Sequence, residues 1–178
     1  VLLHQPFKDY HGAYRALVDL YKEGKIKAVG VSNFYPDRLV DICSFSRIKP
    51  MVNQVEVHPF YQQEEAKKWM DKYSVQIEAW APFGEGRGNM FQNPVLNEIG
   101  KKYGKSAAQV ILRWHLQRGV VVIPKSTHIE RMQENLNVFD FALSAEDMAR
   151  IAALDTKMSA FFSHYDPAKV EWFANMVE

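Results

Sequence analysis

Apolar and polar positions follow two alternating patterns along this chain. Short runs rich in Val, Ile and Leu predict β-strands, and the first four runs begin about 25 residues apart. These runs are mostly uninterrupted by charge, as expected of strands whose two faces are both covered. The five predicted strands are Val1–Leu3, Ile26–Val31, Met51–Val57, Val75–Trp80 and Val120–Ile123.

Helical spacing of apolar residues fills the stretches between these runs. The segment from Asp9 to Glu23 is a predicted helix that ends at Gly24, a residue suited to a left-handed cap. Other helix starts are marked by proline at the first helical position, or by Ser or Thr followed three residues later by Gln, Glu or Asp. These predicted starts are Pro36, Asn93-Pro94, Ser106, Thr127 and Ser144.

Alternating strands and helices predict an α/β fold with parallel strands and right-handed crossovers, and residues 1–178 are expected to form a single domain. Periodicity alone allows either an open, doubly wound sheet or part of a closed barrel. A (β/α)8 barrel needs eight strands and typically about 250 residues, whereas five strands are predicted here. The barrel interpretation therefore predicts that about three strand–helix units precede Val1, where the sequence begins inside an apolar run without Met.

Composition narrows the possible partners. The 22 basic and 21 acidic side chains leave a formal net charge of +1, which indicates neither a nucleic-acid nor a membrane partner. No apolar run approaches the roughly 18 residues of a membrane span. Cys43 is the single cysteine, is expected to be a buried small hydrophobe, and fits a reducing, cytoplasmic location. The six histidines lack metal-ligand spacing, so no metal site is expected.

Polar residues and one flat aromatic ring lie in the predicted strands or directly after them, at corresponding places. In parallel α/β folds, ligands bind where the carboxyl ends of the strands converge. Each of these residues also has an ordinary structural interpretation: a core histidine or tryptophan, a helix cap, or a satisfied buried amide. The residues are His4, Gln5, Ser32, Asn33, Asn53, Gln54, Glu56, His58, Trp80, Lys125 and Ser126.

The strongest local signal for a ligand lies after the fifth strand. A helix beginning near Thr127 would direct free backbone N–H groups and its positive dipole end towards Lys125. Lys125, Ser126, Thr127 and Arg131 would then surround one point, a combination that suits a phosphate. A solvated helix start with incidental charges is the alternative. The glycine-rich segment Glu85–Asn89 is expected either to close over a ligand or to be a plain surface loop.

Five motifs occur here in the order found in one known family. They are Leu2-Leu3-His4-Gln5-Pro6, the segment Gly24–Phe34 ending in Gly-Val-Ser-Asn-Phe, Asn53-Gln54-Val55-Glu56-Val57-His58-Pro59, Trp80-Ala81-Pro82 and Ile123-Pro124-Lys125-Ser126. With them, the chain resembles the aldo-keto reductases. The tail from Phe161 is similar to the bacterial and protozoan branch of 2,5-diketogluconate reductases and prostaglandin F synthase.

The resemblance implies an α/β fold that is a partial (β/α)8 TIM barrel, five C-terminal strand–helix units of the eight, with NADPH as cofactor. His4 would orient the carbonyl of an aldehyde or ketone. The implied nicotinamide contacts are Ser32, Asn33, Gln54 and Trp80, with Ala81, Phe83 and the Gly84–Gly88 segment further along the cofactor. The implied contacts of the adenosine 2′-phosphate are Lys125, Ser126, Thr127 and Arg131, and those of the adenine are Glu134 and Asn135.

In this family the catalytic Asp, Tyr and Lys lie upstream of the strand that ends at His4. The resemblance therefore predicts that this polypeptide alone reduces no carbonyl at an appreciable rate, because the proton donor is absent. A truncated, non-catalytic homologue that binds a nucleotide or a partner is the alternative, and an unrelated phosphate-binding barrel is a third possibility. The expected partner is a small carbonyl compound, and the full-length protein is expected to be a monomer.

Overall fold

All five predicted strands are present in the computed structural model, which describes residues 1–176. Most are shorter than their apolar runs: the run that begins at Ile26, for example, contributes a strand only from Gly30. The strands are β1 (Leu2–Leu3), β2 (Gly30–Ser32), β3 (Val52–Glu56), β4 (Gln76–Trp80) and β5 (Val121–Val122).

The strands belong to one sheet with the order β1-β2-β3-β4-β5. Neighbouring strands run parallel, with Leu2 opposite Gly30, Ser32 opposite Gln54 and Glu78 opposite Val121. A doubly wound sheet reverses its strand order at a switch point. The order here is sequential throughout, which favours the barrel interpretation over the open sheet.

The helices follow the predicted caps with one exception. Asn93 accepts hydrogen bonds from the backbone N–H groups of the next helix, and Gly104 ends that helix in the left-handed conformation with φ of 65°. The helices are α1 (Tyr10–Lys22), α2 (Pro36–Phe45), α3 (Glu64–Tyr73), α4 (Pro94–Tyr103), α5 (Ala107–Gln117), α6 (Ile129–Leu136), α7 (Ala145–Ala152) and α8 (Pro167–Asn175).

The exception is the start of α6. The predicted cap at Thr127 is wrong, because the helix begins after His128 and has no side-chain cap. Ser126 explains the delay: its hydroxyl accepts from the backbone N–H of His128 at 3.1 Å and donates to the His128 carbonyl at 3.3 Å. This local turn holds the chain outside the helical conformation until Ile129.

The chain divides into two compact units, and the single-domain expectation stays a prediction. Unit 1 comprises Val1–Val55, Glu64–Ile77 and the tail from Phe161. Unit 2 comprises Glu56–Gln63 and Glu78–Ala160. Fully buried side chains form the core of each unit. They are Tyr14, Phe34, Leu39, Ile42 and Met70 in unit 1, and Leu96, Ile99, Ile111, Leu112 and Trp114 in unit 2.

Three further expectations concern Cys43, membranes and metal ions. Cys43 is buried, as expected, and burial raises the pKa of its thiol to about 11, so it stays protonated near neutral pH. Within residues 1–176, no helix is both long and apolar enough to cross a membrane. Over the same residues, no cluster of three or more His, Cys, Asp or Glu side chains could hold a metal ion.

Candidate functional site

In unit 1, the ends of β1 and β2 and the middle of β3 bring four of the predicted site residues together. The Ser32 hydroxyl donates to the main-chain carbonyl of Gln54 at 2.9 Å. The Asn33 amide nitrogen donates to the main-chain carbonyl of His4 at 3.3 Å and to the Ser32 hydroxyl at 3.2 Å. Ser32 and Asn33 are buried, whereas the His4 side chain is exposed. The ends of β1 and β2 are thus tied to each other and to the middle of β3 through two short polar side chains.

The backbone at Asn33 makes this arrangement possible. Asn33 has a φ of 61°, in the left-handed region that Asn tolerates better than most residues. Its N–H donates to the Gln54 carbonyl at 2.9 Å and thereby ends the pairing of β2 with β3. The interpretation of Ser32 and Asn33 as helix caps is excluded, because α2 is preceded by Tyr35 and has no side-chain cap.

In unit 2, β4 ends in a tight turn from Trp80 to Gly84. Trp80 is half-buried, and its carbonyl accepts from the backbone N–H of Val57 at 3.4 Å. The Gly84 N–H donates to the Ala81 carbonyl at 2.8 Å, and Gly84 itself has a φ of 55°. A Cβ atom at Gly84 would lie 2.9 Å from the Met90 methyl group. The positive φ therefore favours glycine at this position, and a larger residue would also have to displace the end of the Met90 side chain.

The glycine-rich segment predicted as a loop is irregular but ordered. Residues Gly84–Gln92 form short 3₁₀ turns broken by positive φ values, including 76° at Gly86 and 64° at Gly88. The Arg87 guanidinium donates to the Ala160 carbonyl at 3.3 Å and lies 3.8 Å from the Glu85 carboxylate. The hydrogen bond from Arg87 thus attaches this segment to the main chain at Ala160.

A cavity of about 520 Å³ lies entirely within unit 2. The start of α5, the connection from β5 to α6, and α6 itself contribute to its walls. The cavity brings together seven of the predicted site residues: Phe83, Lys125, Ser126, Thr127, Arg131, Glu134 and Asn135. The predicted phosphate-binding group therefore meets around one space even though α6 begins later than expected.

The cavity wall is electropositive at the α6 end. Among residues 1–176, the side chains of Lys125, Thr127, Arg131 and Asn135 have no hydrogen-bond or ion-pair partner. The first turn of α6 also lacks a side-chain cap, so its backbone N–H groups keep their donor capacity. Two unpaired cations beside a helix N-terminus favour an anionic ligand group.

Several cavity residues escaped sequence reasoning. They are Phe91, Asn97, Ser106, Ala107, Ala108 and His128. Ser106 is identifiable in the sequence as the cap of α5, and the structure confirms its reciprocal capping box with Gln109. Nothing in that local pattern indicates that Ser106 also contacts α6. Its partner there, Glu134, lies 28 residues further along the chain.

Comparison with known proteins gives consistent matches. Residues 1–156 match the Aldo/keto reductase family. The chain is 50% identical over 155 residues to a glyoxal reductase of Bacillus subtilis, covering 86% of this chain and 55% of that protein. It is 46% identical over 156 residues to a 9,11-endoperoxide prostaglandin H2 reductase of Trypanosoma cruzi, with the same two coverages of 86% and 55%.

Solved structures give the same result. A crystal structure of an aldo-keto reductase from the silkworm, Bombyx mori, has a TM-score of 0.87 at 32% identity, covering 94% of this chain and 57% of that chain. A mutant of Gox0644 in complex with NADPH has a TM-score of 0.85 at 38% identity, covering 92% of this chain and 60% of that one. The chain thus spans little more than half the length of these proteins.

Proposed function

The chain belongs to the aldo-keto reductase family, and we propose that it provides the NADPH-binding part of a reductase of aldehydes and ketones. The predicted α/β fold, with five parallel strands of a (β/α)8 barrel, is confirmed by the sheet order and by the structural neighbours. The observation that carries the functional proposal is the cavity of unit 2, whose cationic side chains have no partner within the described residues.

The lining of this cavity fits the adenosine end of NADPH. Its volume of about 520 Å³ lies in the range typical of small-molecule sites. We assign the 2′-phosphate to Lys125, Ser126, Thr127 and Arg131, because this group is the one that two cations and an uncapped helix start would select. NADH lacks that phosphate and would leave both cations unpaired. The assignment therefore favours NADPH over NADH.

The nicotinamide end is assigned by family resemblance together with the strand-end geometry. In unit 1, Ser32, Asn33 and Gln54 are proposed to hold the carboxamide, since the Ser32 hydroxyl and the Asn33 amide lie together and Ser32 bonds to the Gln54 main chain. In unit 2, Trp80 is proposed to stack on the ring, and the turn through Ala81, Phe83 and Gly84 to lie along the cofactor.

His4 is the one catalytic residue proposed within this chain. When bound, NADPH would supply the hydride that reduces the substrate carbonyl. His4 would donate a hydrogen bond to the carbonyl oxygen, orienting it and stabilising the negative charge that develops there. The family's proton donor has no counterpart among residues 1–178, so we propose that this polypeptide alone is inactive. NADPH-dependent reduction of glyoxal by protein of confirmed 178-residue mass would contradict that.

Nucleotide binding tests the phosphate assignment directly. The double variant Lys125→Ala, Arg131→Ala should weaken NADPH binding by about 100-fold or more, because two charge-assisted hydrogen bonds are lost and each contributes roughly 1.5–3 kcal/mol. NADH affinity should change by about twofold or less, since neither cation has a phosphate to bind there. Isothermal titration calorimetry on the purified chain measures both values.

The matched control replaces one exposed lysine and one exposed arginine outside the cavity. Lys27→Ala, Arg15→Ala removes the same charge and should leave both affinities unchanged. Equal losses for NADPH and NADH in the cavity variant would contradict the phosphate assignment. Failure of the unmodified chain to bind NADPH would remove the proposed function altogether.

A further inference from the structure

We propose that Ser106 is a positioning residue whose hydroxyl holds the Glu134 carboxylate for recognition of the 6-amino group of an adenine ring. The inference rests on the proposed NADPH function and deepens it, because it states which contact fixes the Glu134 carboxylate where the adenine base would bind. Its physical basis is the way in which α6 is attached to the rest of unit 2.

Helix α6 is held with little apolar packing. None of its eight residues is buried. Its aliphatic side chains Ile129, Met132 and Leu136 are 68%, 44% and 71% exposed. A helix this short is marginal by itself in water, so its position depends on other contacts. Those contacts are polar and come mainly from the start of α5.

The last turn of α6 is clamped by side chains at the start of α5. The Gln109 amide donates to the main-chain carbonyls of Glu134 at 3.1 Å and Asn137 at 2.9 Å. The Lys105 ammonium donates to the same Asn137 carbonyl at 3.2 Å. Carbonyls in the last turn of a helix have no partner inside the helix. The Glu134 carbonyl also accepts from the backbone N–H of Asn137 at 3.1 Å, so the clamp gives it a second donor. The clamp supplies both side-chain donors of the Asn137 carbonyl and fixes α6 at its C-terminal end.

Ser106 extends this clamp to a side chain that lines the cavity. Its hydroxyl donates to Oε1 of Glu134, and its oxygen accepts from the backbone N–H of Gln109 at 3.3 Å. A serine hydroxyl has a single proton, so the contact with Glu134 uses the only donor that Ser106 offers. The carboxylate is thereby fixed by one oxygen. Within residues 1–176, its second oxygen, Oε2, has no partner.

A fixed carboxylate selects a hydrogen-bond donor and repels phosphate. Glu134 is one turn beyond Arg131, so the same helix presents a cation to the phosphate end and an anion to the base end. Adenine presents a donor at its 6-amino group, whereas hypoxanthine presents an acceptor at its 6-oxo group. Ser106 therefore sets the preference for adenine over a 6-oxopurine by holding Glu134 in place.

Ser106→Asp separates this role from helix capping. Aspartate is as good an N-cap as serine, so α5 keeps its cap, but the donor to Glu134 is lost and a like charge faces it. The probes are NADPH and its 6-oxo analogue, reduced nicotinamide hypoxanthine dinucleotide phosphate. The unmodified chain should bind NADPH about tenfold more tightly than the analogue, and Ser106→Asp should reduce that ratio to about twofold or less.

Two comparisons identify the cause. Ser106→Thr keeps both the cap and the donor, and should retain the ratio of the unmodified chain. Asn93→Asp adds the same negative charge at the cap of α4, outside the cavity, and should leave the ratio unchanged. Ser106→Gly removes the donor at small cost to the cap, so it gives the same test if the aspartate variant fails to fold.

The possible failures are distinguishable. If the unmodified chain binds neither nucleotide, the proposed function and this inference both fail. If it binds NADPH and the 6-oxo analogue equally, the inference fails while the proposed function stands. If Ser106→Asp weakens both nucleotides by the same factor, the role of Ser106 is structural and the inference is overturned.

Discussion

Two polar regions of unit 2 differ in how their side chains are partnered. The Glu56 carboxylate, only 2% exposed, accepts from the Ser159 hydroxyl at 2.5 Å and the Ala160 N–H at 2.8 Å. It also lies 2.9 Å from Nε2 of His58, which is equally buried. The cavity beside α6 is the opposite case, because Lys125 and Arg131 have no partner among residues 1–176.

The difference separates structural from ligand-binding polar residues. Removing a buried carboxylate from its donors leaves those donors unsatisfied, so the Glu56 carboxylate contributes to folding and has little capacity left for a ligand. Solvated side chains around a cavity contribute little to folding and keep their capacity. In the sequence the two groups look alike, since both are polar residues in or after predicted strands. Partner satisfaction, which only the structure shows, distinguishes them.

The largest expected effect is a loss of stability at Glu56. Glu56→Ala should lower the free energy of unfolding by about 3–5 kcal/mol, because it leaves the buried His58 ring and the half-buried donors of Ser159 and Ala160 without their acceptor. Urea unfolding followed by circular dichroism measures the change. Glu146→Ala, at an exposed position on α7, should change stability by about 0.5 kcal/mol or less. A loss at Glu56 no larger than in this control would remove the basis of the comparison.

The next effect is a pH dependence carried by His115. Burial lowers the pKa of this histidine to about 4, against 6.5 for an unburied one, although its ring nitrogens lie 2.8 Å and 3.0 Å from the carbonyls of Ile111 and Val57. Between these two pKa values the unfolded chain binds a proton that the folded chain does not. Stability is therefore fully present above about pH 6.5 and decreases as the pH falls towards 4.

This linkage contributes a loss of about 2 kcal/mol between pH 7 and pH 5, following from 1.36 kcal/mol per pKa unit. The measurement is urea unfolding of the unmodified chain and of His115→Gln at both pH values. The variant should lack this part of the pH dependence, so the difference between the two proteins isolates it from other titrating groups. Identical pH dependence in both would show that folding does not change the pH at which His115 is protonated.

The sequence predicted local structure better than contacts between distant segments. Asn93, Gly24 and the capping box of Ser106 with Gln109 were identifiable because each depends on a few neighbouring residues. The predicted cap at Thr127 was wrong for an equally local reason: Ser126 forms a competing turn with His128 that the cap pattern does not reveal.

The residues of the candidate site also divide into those close together in the sequence and those brought together only by the fold. Lys125 to Arg131 were found from the sequence because a strand, a turn and a helix start bring them together within seven positions. The contact of Ser106 with Glu134 spans 28 positions and depends on how α5 and α6 pack. Glu56 illustrates the converse, because its partners Ser159 and Ala160 lie more than 100 residues away.

The smallest effect on stability, and the sharpest test of the comparison, is expected at Asn135. Its side chain lines the cavity and has no partner within the described residues. Asn135→Ala should leave the free energy of unfolding unchanged or raise it by about 0.5 kcal/mol, because Ala has the higher helix propensity. NADPH affinity should fall by about fivefold, the loss expected for one hydrogen bond of roughly 1 kcal/mol.

Gln133 provides the matched control on the same helix. It is exposed and does not line the cavity, so Gln133→Ala should give the same small gain in stability with no loss of affinity. Only Asn135→Ala would then lose NADPH affinity, and neither variant would lose stability. This is the result expected of a polar group that has no partner until a ligand supplies one. If Asn135→Ala instead destabilised the fold by several kcal/mol, Asn135 would belong with Glu56, and lack of a protein partner would no longer indicate a binding residue.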